Sequence, residues 1–320
     1  MTNQITMPGS KSTAYLAAEG FEAELEQELV RTLGPNATIE KHGRLLITAH
    51  TAVASVWAEN IWFDPERIAI TSIGDAAKAL RQRGALWAPY AATLHRRSML
   101  IQEKLPRRKE TPLEFLGALP SRQLGSWTLL NEKTLLAASQ CSSVFPNGAL
   151  RFVENKQAPP SRAYLKLWEL FTTQGFRPSP GEVCLDLGSS PGGWTWVLAD
   201  LGCKVISVDR APLDPTIAKM KGVEHLEKNA FALKPQELGP VDWLFSDIIC
   251  YPKDLRALVE TWLQSGLCRN LVCTVKFKGE TDFETTERLA QIPGSRLRHL
   301  HHNKHELTWW KLSKTGPPAC

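Results

Sequence analysis

Asp186-Leu187-Gly188-Ser189-Ser190-Pro191-Gly192-Gly193-Trp194 follows the apolar run Val183-Cys184-Leu185 and leads into Trp196-Val197-Leu198-Ala199. An apolar run, a glycine-rich turn and a second apolar segment read as a buried strand, a turn and a helix. Glycine has no Cβ and tolerates positive φ, so the backbone of such a turn can lie close against a ligand. The helix beyond it offers unpaired N–H groups at its start. A nucleotide-type cofactor is expected there.

The pattern continues on both sides of the turn. Strands are expected at 183–187, 204–209, near 223–226, at 241–247 and 270–276, and near 297–301 and 306–312, with helices at 161–171, 193–201, 255–267 and 282–290. Strands alternating with helices predict a doubly wound, mostly parallel α/β sheet. In the first of these helices Ser161 is placed to cap, Tyr164, Leu167, Trp168 and Phe171 form the apolar stripe, and Lys166 falls off that stripe on the exposed side. Ligands of such sheets sit beyond the carboxyl ends of the strands, where Gly188 to Gly193, Asp209, Asp247 and Lys276 all fall. Asp209 lies 23 residues after Asp186, close to the spacing of about 20 at which a ribose-binding acid belongs. A dinucleotide site usually spells G-x-G-x-x-G. Here the turn reads G-S-S-P-G-G, with Pro191 inside it and bulky Trp194 following. A ligand without a pyrophosphate, such as S-adenosylmethionine, suits it better.

With 320 residues the chain is long for one domain, and Ala158-Pro159-Pro160 looks like a linker. Before it, strands are expected at 15–18, 44–48 and 66–72, helices at 21–33, 52–60 and 75–83, and a hairpin from 126–130 to 134–139. Together these suggest a smaller α/β region. His95 to Lys109 carries Arg96, Arg97, Lys104, Arg107, Arg108 and Lys109 against one acid, Glu103. It reads either as a solvated loop or as a phosphate-contacting patch. The net charge of +5 is too mild to argue for nucleic acid by itself. Seven cysteines, an odd number without C-x-x-C spacing, speak against a disulfide framework. With no apolar signal core in residues 1–11 and no run near 18 apolar residues, a cytoplasmic protein away from membranes is expected.

Ser161-Arg-Ala-Tyr-Leu-Lys-Leu167, Asp186 to Trp194, Val208-Asp209, Ser246-Asp247 and Val275-Lys276, in that order, resemble the FtsJ/RrmJ-type RNA 2′-O-ribose methyltransferases. Gly222 to Leu226 and Glu306-Leu-Thr308 point to the RlmM-type subgroup, which methylates a cytidine ribose of 23S ribosomal RNA. The motifs cover about half of the chain. The resemblance implies a Rossmann-like methyltransferase domain over 156–320, with an antiparallel last strand, after a THUMP-like (ferredoxin-like) RNA-binding region over 1–155. It also implies S-adenosylmethionine as cofactor, contacted by Ser161, Gly188, Pro191, Gly192, Gly193, Trp194, Asp209 and Asp247. Where the family usually has a further acid this chain has Asn229, whose amide could still bond adenine.

The family's Lys-Asp-Lys-Glu tetrad falls on Lys166, Asp247, Lys276 and Glu306. A ribose hydroxyl is a poor nucleophile, so a base must take its proton. Free lysine has a pKa of about 10.4, and a base near neutral pH needs it at roughly 7–8. Lys276 is expected as the base, with Lys166 supplying a second cation and Asp247 and Glu306 orienting the ammoniums. Taken singly, a lysine or acid at a strand end is more often a solvated charge. His299, His301, His302 and His305 have neither a cysteine nor paired carboxylates nearby, so no metal is expected. They read rather as lining an RNA groove with Arg296, Arg298 and Lys304, while Trp309 and Trp310 read as core or as stacking platforms. The expected partner is naked or partly assembled 23S rRNA, bound by a monomer. The rival readings are a methyltransferase acting on tRNA or a small molecule, and a non-catalytic RNA-binding protein that keeps the fold.

Overall fold

Leu187, which ends the strand before the glycine turn, pairs with Val208 on one side and Ser246 on the other, both in parallel. A computed structural model describes residues 12–84, 86–107 and 111–313 and divides the chain into two units. The first comprises residues 1–112 and 118–151, the second residues 113–117 and 152–320.

In the first unit β1 (Thr13–Ala17), α1 (Glu22–Leu33), β2 (Ile39–His42), β3 (Leu45–Thr48), β4 (Ala58–Phe63), β5 (Glu66–Ala69), α2 (Ile73–Arg83), β6 (Trp87–Pro89), α3 (His95–Gln102), β7 (Gly125–Asn131), β8 (Thr134–Ala138) and β9 (Gln140–Cys141) follow one another. They form a five-stranded sheet, β2-β3-β1-β4-β9, and a four-stranded one, β5-β8-β7-β6. The helix expected over 52–60 is absent. Glu28 of α1 accepts bonds from the backbone of Val56 (2.8 Å) and Trp57 (3.3 Å), taking donors a helix would use internally. From Ala58 burial alternates, with Ala58, Asn60 and Trp62 inside, which is the period of a strand. The basic stretch is half helical: α3 buries Ser98 and Ile101 three residues apart and leaves Arg96 exposed. Arg108 and Lys109 lie outside the described residues.

The second unit carries α4 (Tyr164–Gln174), β10 (Val183–Leu187), α5 (Gly193–Asp200), β11 (Lys204–Asp209), α6 (Pro215–Ala218), β12 (Val223–Glu227), α7 (Pro235–Leu238), β13 (Val241–Ser246), α8 (Pro252–Ser265), β14 (Cys268–Lys276), α9 (Phe283–Ala290), β15 (Ser295–Arg298) and β16 (Glu306–Lys311). Its seven strands lie in the order β12-β11-β10-β13-β14-β16-β15. The five from β12 to β14 are parallel and β16 runs antiparallel to both of its neighbours, as expected for the last strand. Central strands covered on both faces need apolar residues throughout, and Cys184, Leu185, Leu187, Leu244 and Phe245 are all buried.

Ser161 does not cap α4. The helix begins three residues later with Ala163 at its N-cap, which has no side chain to offer. Nor is Lys166 on an exposed face, since α4 is buried from Tyr164 to Thr172. Sheet covers one side of it. Phe115, on the short segment that joins this unit, stacks on Trp168 at 4.8 Å, and Leu116 donates to the Thr172 hydroxyl.

Candidate functional site

The carboxyl ends of β10, β11, β13 and β14 open onto a cavity of about 460 Å³. Its lining includes Ser161, Gly188, Pro191, Gly193, Trp194, Asp209, Asn229, Asp247 and Lys276. Nine of the sequence-derived positions thus converge on one pocket. Gly192 serves it from behind: its φ of +114° turns the chain into α5, and a Cβ there would come 2.9 Å from Ile217. At Gly193 a Cβ would stand 2.6 Å from the Ser161 hydroxyl, so glycine lets Ser161 reach the turn.

Asp209 is held at the turn by bonds from the backbone of Ser190 (3.1 Å) and Ala211 (3.0 Å). The Asn229 side-chain oxygen accepts from Phe231 N–H, which closes the 3-10 turn after β12. Trp194 is buried at 3% exposure and its indole donates to the Ala163 carbonyl, tying α5 to the start of α4.

The tetrad residues come from four different elements. The β14–β16 register sets Lys276 directly opposite Glu306, and Asp247 follows the last residue of β13. Lys166 reaches in from α4, with Nζ 2.7 and 2.8 Å from the two oxygens of Asp247 and 3.1 Å from Glu306 Oε1. Lys276 Nζ donates to the Asp247 carbonyl at 2.6 Å and lies 3.0 Å from Asp247 Oδ1. Burial pushes the Asp247 carboxyl up, but the Lys166 and Lys276 charges, with hydrogen bonds from Lys166 and Thr274, outweigh it and hold it below the usual range. The two lysines are not equivalent. Lys276 lines the cavity with its side chain 18% exposed, whereas that of Lys166 is 9% exposed and sits behind, 5.6 Å from the Trp194 ring.

Three groups escaped the sequence reading. Thr274 donates to Asp247; it stands two residues before Lys276 on the same strand face, a spacing that could have pointed to it. Asp186, which opens the glycine-turn stretch and carries no role in the sequence reading, is fully buried and lines the cavity. Its Oδ2 accepts from Thr195 at 2.6 Å, and its Oδ1 has no hydrogen-bond partner among the described residues. Burial, then the nearby Asp247 and Asp209 charges, pushes its pKa up to about 7 against the bond from Thr195. Glu169, one turn after Lys166, accepts from the backbone of His301 (2.8 Å) and His302 (3.0 Å) and pairs with His302 Nδ1 at 2.7 Å. Its burial raises the carboxyl and these partners lower it, with a net depression. No local sequence signal joins residues 132 or 133 positions apart.

The histidines do not line a groove together. His299 is buried against the Lys304 carbonyl, His302 pairs with Glu169 and His305 bonds Thr281. Trp309 and Trp310 are core, at 0% and 5% exposure. Among the described residues no group of three or more His, Cys, Asp or Glu is placed to hold a metal.

A sheet of this order, with a glycine turn, a ribose-type acid and a lysine–carboxylate cluster at one pocket, defines a Rossmann-like S-adenosylmethionine methyltransferase domain. Residues 159–279 match the FtsJ-like methyltransferase family. Ribosomal RNA large subunit methyltransferase M of Thauera aminoaromatica is 31% identical over 271 residues, 76% of this chain and 73% of that protein. The protein of that name from Azotobacter vinelandii is 34% identical over 190 residues, 54% of this chain and 53% of its own length, so the chain spans about half of it. The one from Xanthomonas oryzae pv. oryzae is 28% identical across 91% of this chain and 96% of its own. The chain belongs to the ribosomal RNA large subunit methyltransferase M family.

The residues fit the cofactor of that class. The cavity has the size of a small-ligand site, Asp209 offers a carboxylate at the ribose position, and the unpartnered Asp186 Oδ1 offers a negative oxygen to a cationic group.

Proposed function

We propose that this protein methylates the 2′-hydroxyl of a ribose in large-subunit ribosomal RNA, a cytidine of 23S rRNA in the reading drawn from its sequence. The observation that carries the proposal is the pairing of Lys166 and Lys276 across Asp247 at the inner end of the cofactor cavity. When bound, S-adenosylmethionine supplies a methyl group on a sulfonium sulfur. Ser161, the turn from Gly188 to Trp194, Asp209 and Asn229, with Asp186 and Asp247, would hold it in the cavity they line.

Lys276 takes the proton of the ribose hydroxyl, because of the two lysines paired on Asp247 it is the one that lines the cavity. It must arrive there neutral. Asp247 keeps the two lysine nitrogens fixed, Lys276 Nζ at 3.0 Å and Lys166 Nζ at 2.7 Å from its Oδ1. Glu306 completes the coordination of Lys166, so that cation stays in place through the reaction. A positioned base of this kind contributes about 10²–10⁴-fold in rate.

Residues 1–155 form, in this proposal, a THUMP-like RNA-binding region whose Arg96, Lys104 and Arg107 contact phosphates, all three being exposed. The target ribose must be accessible, which favours naked or partly assembled rRNA, and the protein acts as a monomer in the cytoplasm.

The test is transfer of labelled methyl from S-adenosylmethionine to protein-free large-subunit rRNA, followed by nucleoside mapping. A methyl group on the ribose 2′-oxygen is expected. One on a base nitrogen or carbon overturns the reading.

A further inference from the structure

Tyr251 stands at the start of α8, in the loop that also carries Asp247, and its side chain is 53% exposed. Along this loop Cys250 is buried at 8%, while its neighbours Ile249 and Tyr251 point outward, Ile249 at 72% exposure. Ile249 lines the cofactor cavity together with Ile248 and Lys276; Tyr251 is not part of that lining. The loop therefore extends the cavity outward with an apolar and then an aromatic surface. Two cations lie over the ring: Lys278 Nζ 5.0 Å and Lys253 Nζ 5.9 Å from its centroid. Lys278 follows Lys276 by two residues past the end of β14, so ring, cation and proposed base share one edge of the sheet.

A single exposed apolar side chain is ordinary. An exposed ring in cation–π contact with two lysines, next to an exposed isoleucine and beside the residues proposed for chemistry, is a surface with two chemistries at once. It presents a π-face with an apolar border, and it presents positive charge at the same place. Unpaired RNA requires that combination, since each nucleotide brings a base to stack and a phosphate to neutralise. The cofactor cannot occupy the ring, which lies outside its cavity. A folded protein partner would not need both cations beside the aromatic face.

We infer that Tyr251 is a stacking platform for an unpaired base of the RNA substrate, the target nucleotide or its immediate neighbour, with Ile249 as its apolar edge and Lys253 and Lys278 engaging the adjoining phosphates. The inference rests on the proposed RNA methylation and names the surface that presents the nucleotide to Lys276.

Tyr251→Ala, Tyr251→Leu and Tyr251→Trp are compared with the unaltered full-length protein on protein-free large-subunit rRNA, with S-adenosylmethionine affinity measured in parallel by calorimetry. Loss of one base–aromatic stack should lower kcat/KM for RNA by between about 5- and 150-fold in the Ala and Leu variants, mainly through KM. Tyr251→Trp should stay within roughly twofold of the parent, because every aromatic ring offers a stacking face. Cofactor affinity should be unchanged in all three. Activity of Tyr251→Ala or Tyr251→Leu within twofold of the parent overturns the inference, as does a parallel loss of cofactor binding, which would mark a structural role. If the unaltered protein transfers no methyl group to RNA, it is the proposed function that fails.

Discussion

Lys166 Nζ sits between both oxygens of Asp247 and Glu306 Oε1, bridging a helix and two strands from positions 81 and 140 residues apart. One buried cation is thus shared by the buried Glu306 and the partly buried Asp247, and a second lysine, Lys276, meets the same Asp247 from the cavity side. The arrangement separates two tasks that the residue types alone do not distinguish. Lys166 is held by three carboxylate oxygens, and Lys276 lines the cavity.

The two lysines should therefore fail differently. Lys276→Met removes the proposed base and should lower kcat by about 10²–10⁴-fold while cofactor affinity and thermal stability stay near those of the parent. Lys166→Met leaves Glu306 buried without its cation and Asp247 with Lys276 alone, and should lower stability by about 3–5 kcal/mol as well as activity. Denaturant unfolding beside single-turnover methyl transfer separates them; equal loss of stability in both variants would contradict the division.

Asp247→Asn removes the charge that holds the two ammoniums together, and a loss of about 3 kcal/mol is expected. The pH sign follows from its depressed pKa. Its contribution is present above the unfolded value of about 3.9 and disappears as pH falls through the lower folded value. The variant should lose part of the parent's acid sensitivity in a melting series taken from pH 6 downward.

Asp186 has the opposite sign. Folded, it keeps its proton up to about 7, whereas the unfolded chain releases it near about 3.9. Stability from this group is complete below the unfolded value and falls as pH rises through the folded one, levelling off above it. Asp186→Asn should flatten that decline between about pH 4 and 7. Affinity of the parent for S-adenosylmethionine should rise as pH passes about 7, because the ionised Oδ1 attracts a cation. In the Asn variant it should not, and calorimetry at two pH values reads the difference.

Glu169 holds the loop that leads into β16, and with it the approach to Glu306. Glu169→Gln keeps the size but removes the charge that pairs with His302. A loss of about 1.5–3 kcal/mol is expected, the range for hydrogen bonds to charged groups. Its depressed pKa makes this stabilisation one that is lost on acidification, so the variant should differ from the parent at pH 7 more than at pH 3. Chemical denaturation at both values checks it.

Much of this was legible along the chain. The alternation from Val183 to Lys276 reads as a doubly wound sheet because strands buried on both faces must be continuously apolar, and the turn from Gly188 to Gly193 and the acid at Asp209 follow from local spacing. The failures share a cause. Ala52 to Asn60 reads as a helix until Glu28 takes its N–H groups, Lys166 reads as exposed until the sheet covers α4, and the histidines read as a basic surface until Glu169, Thr281 and the Lys304 carbonyl engage three of them.

The glycine turn, the strand order of types and the residues able to serve chemistry were determined by the sequence itself, since periodicity, turn chemistry and residue type act within a few positions of one another. Which lysine faces the cavity, which acid is left with an unpartnered oxygen and which aromatic ring stands at the entrance were decided only by the tertiary structure. Burial and charge pairing are properties of neighbours in space, and here those neighbours come from segments as many as 140 residues apart.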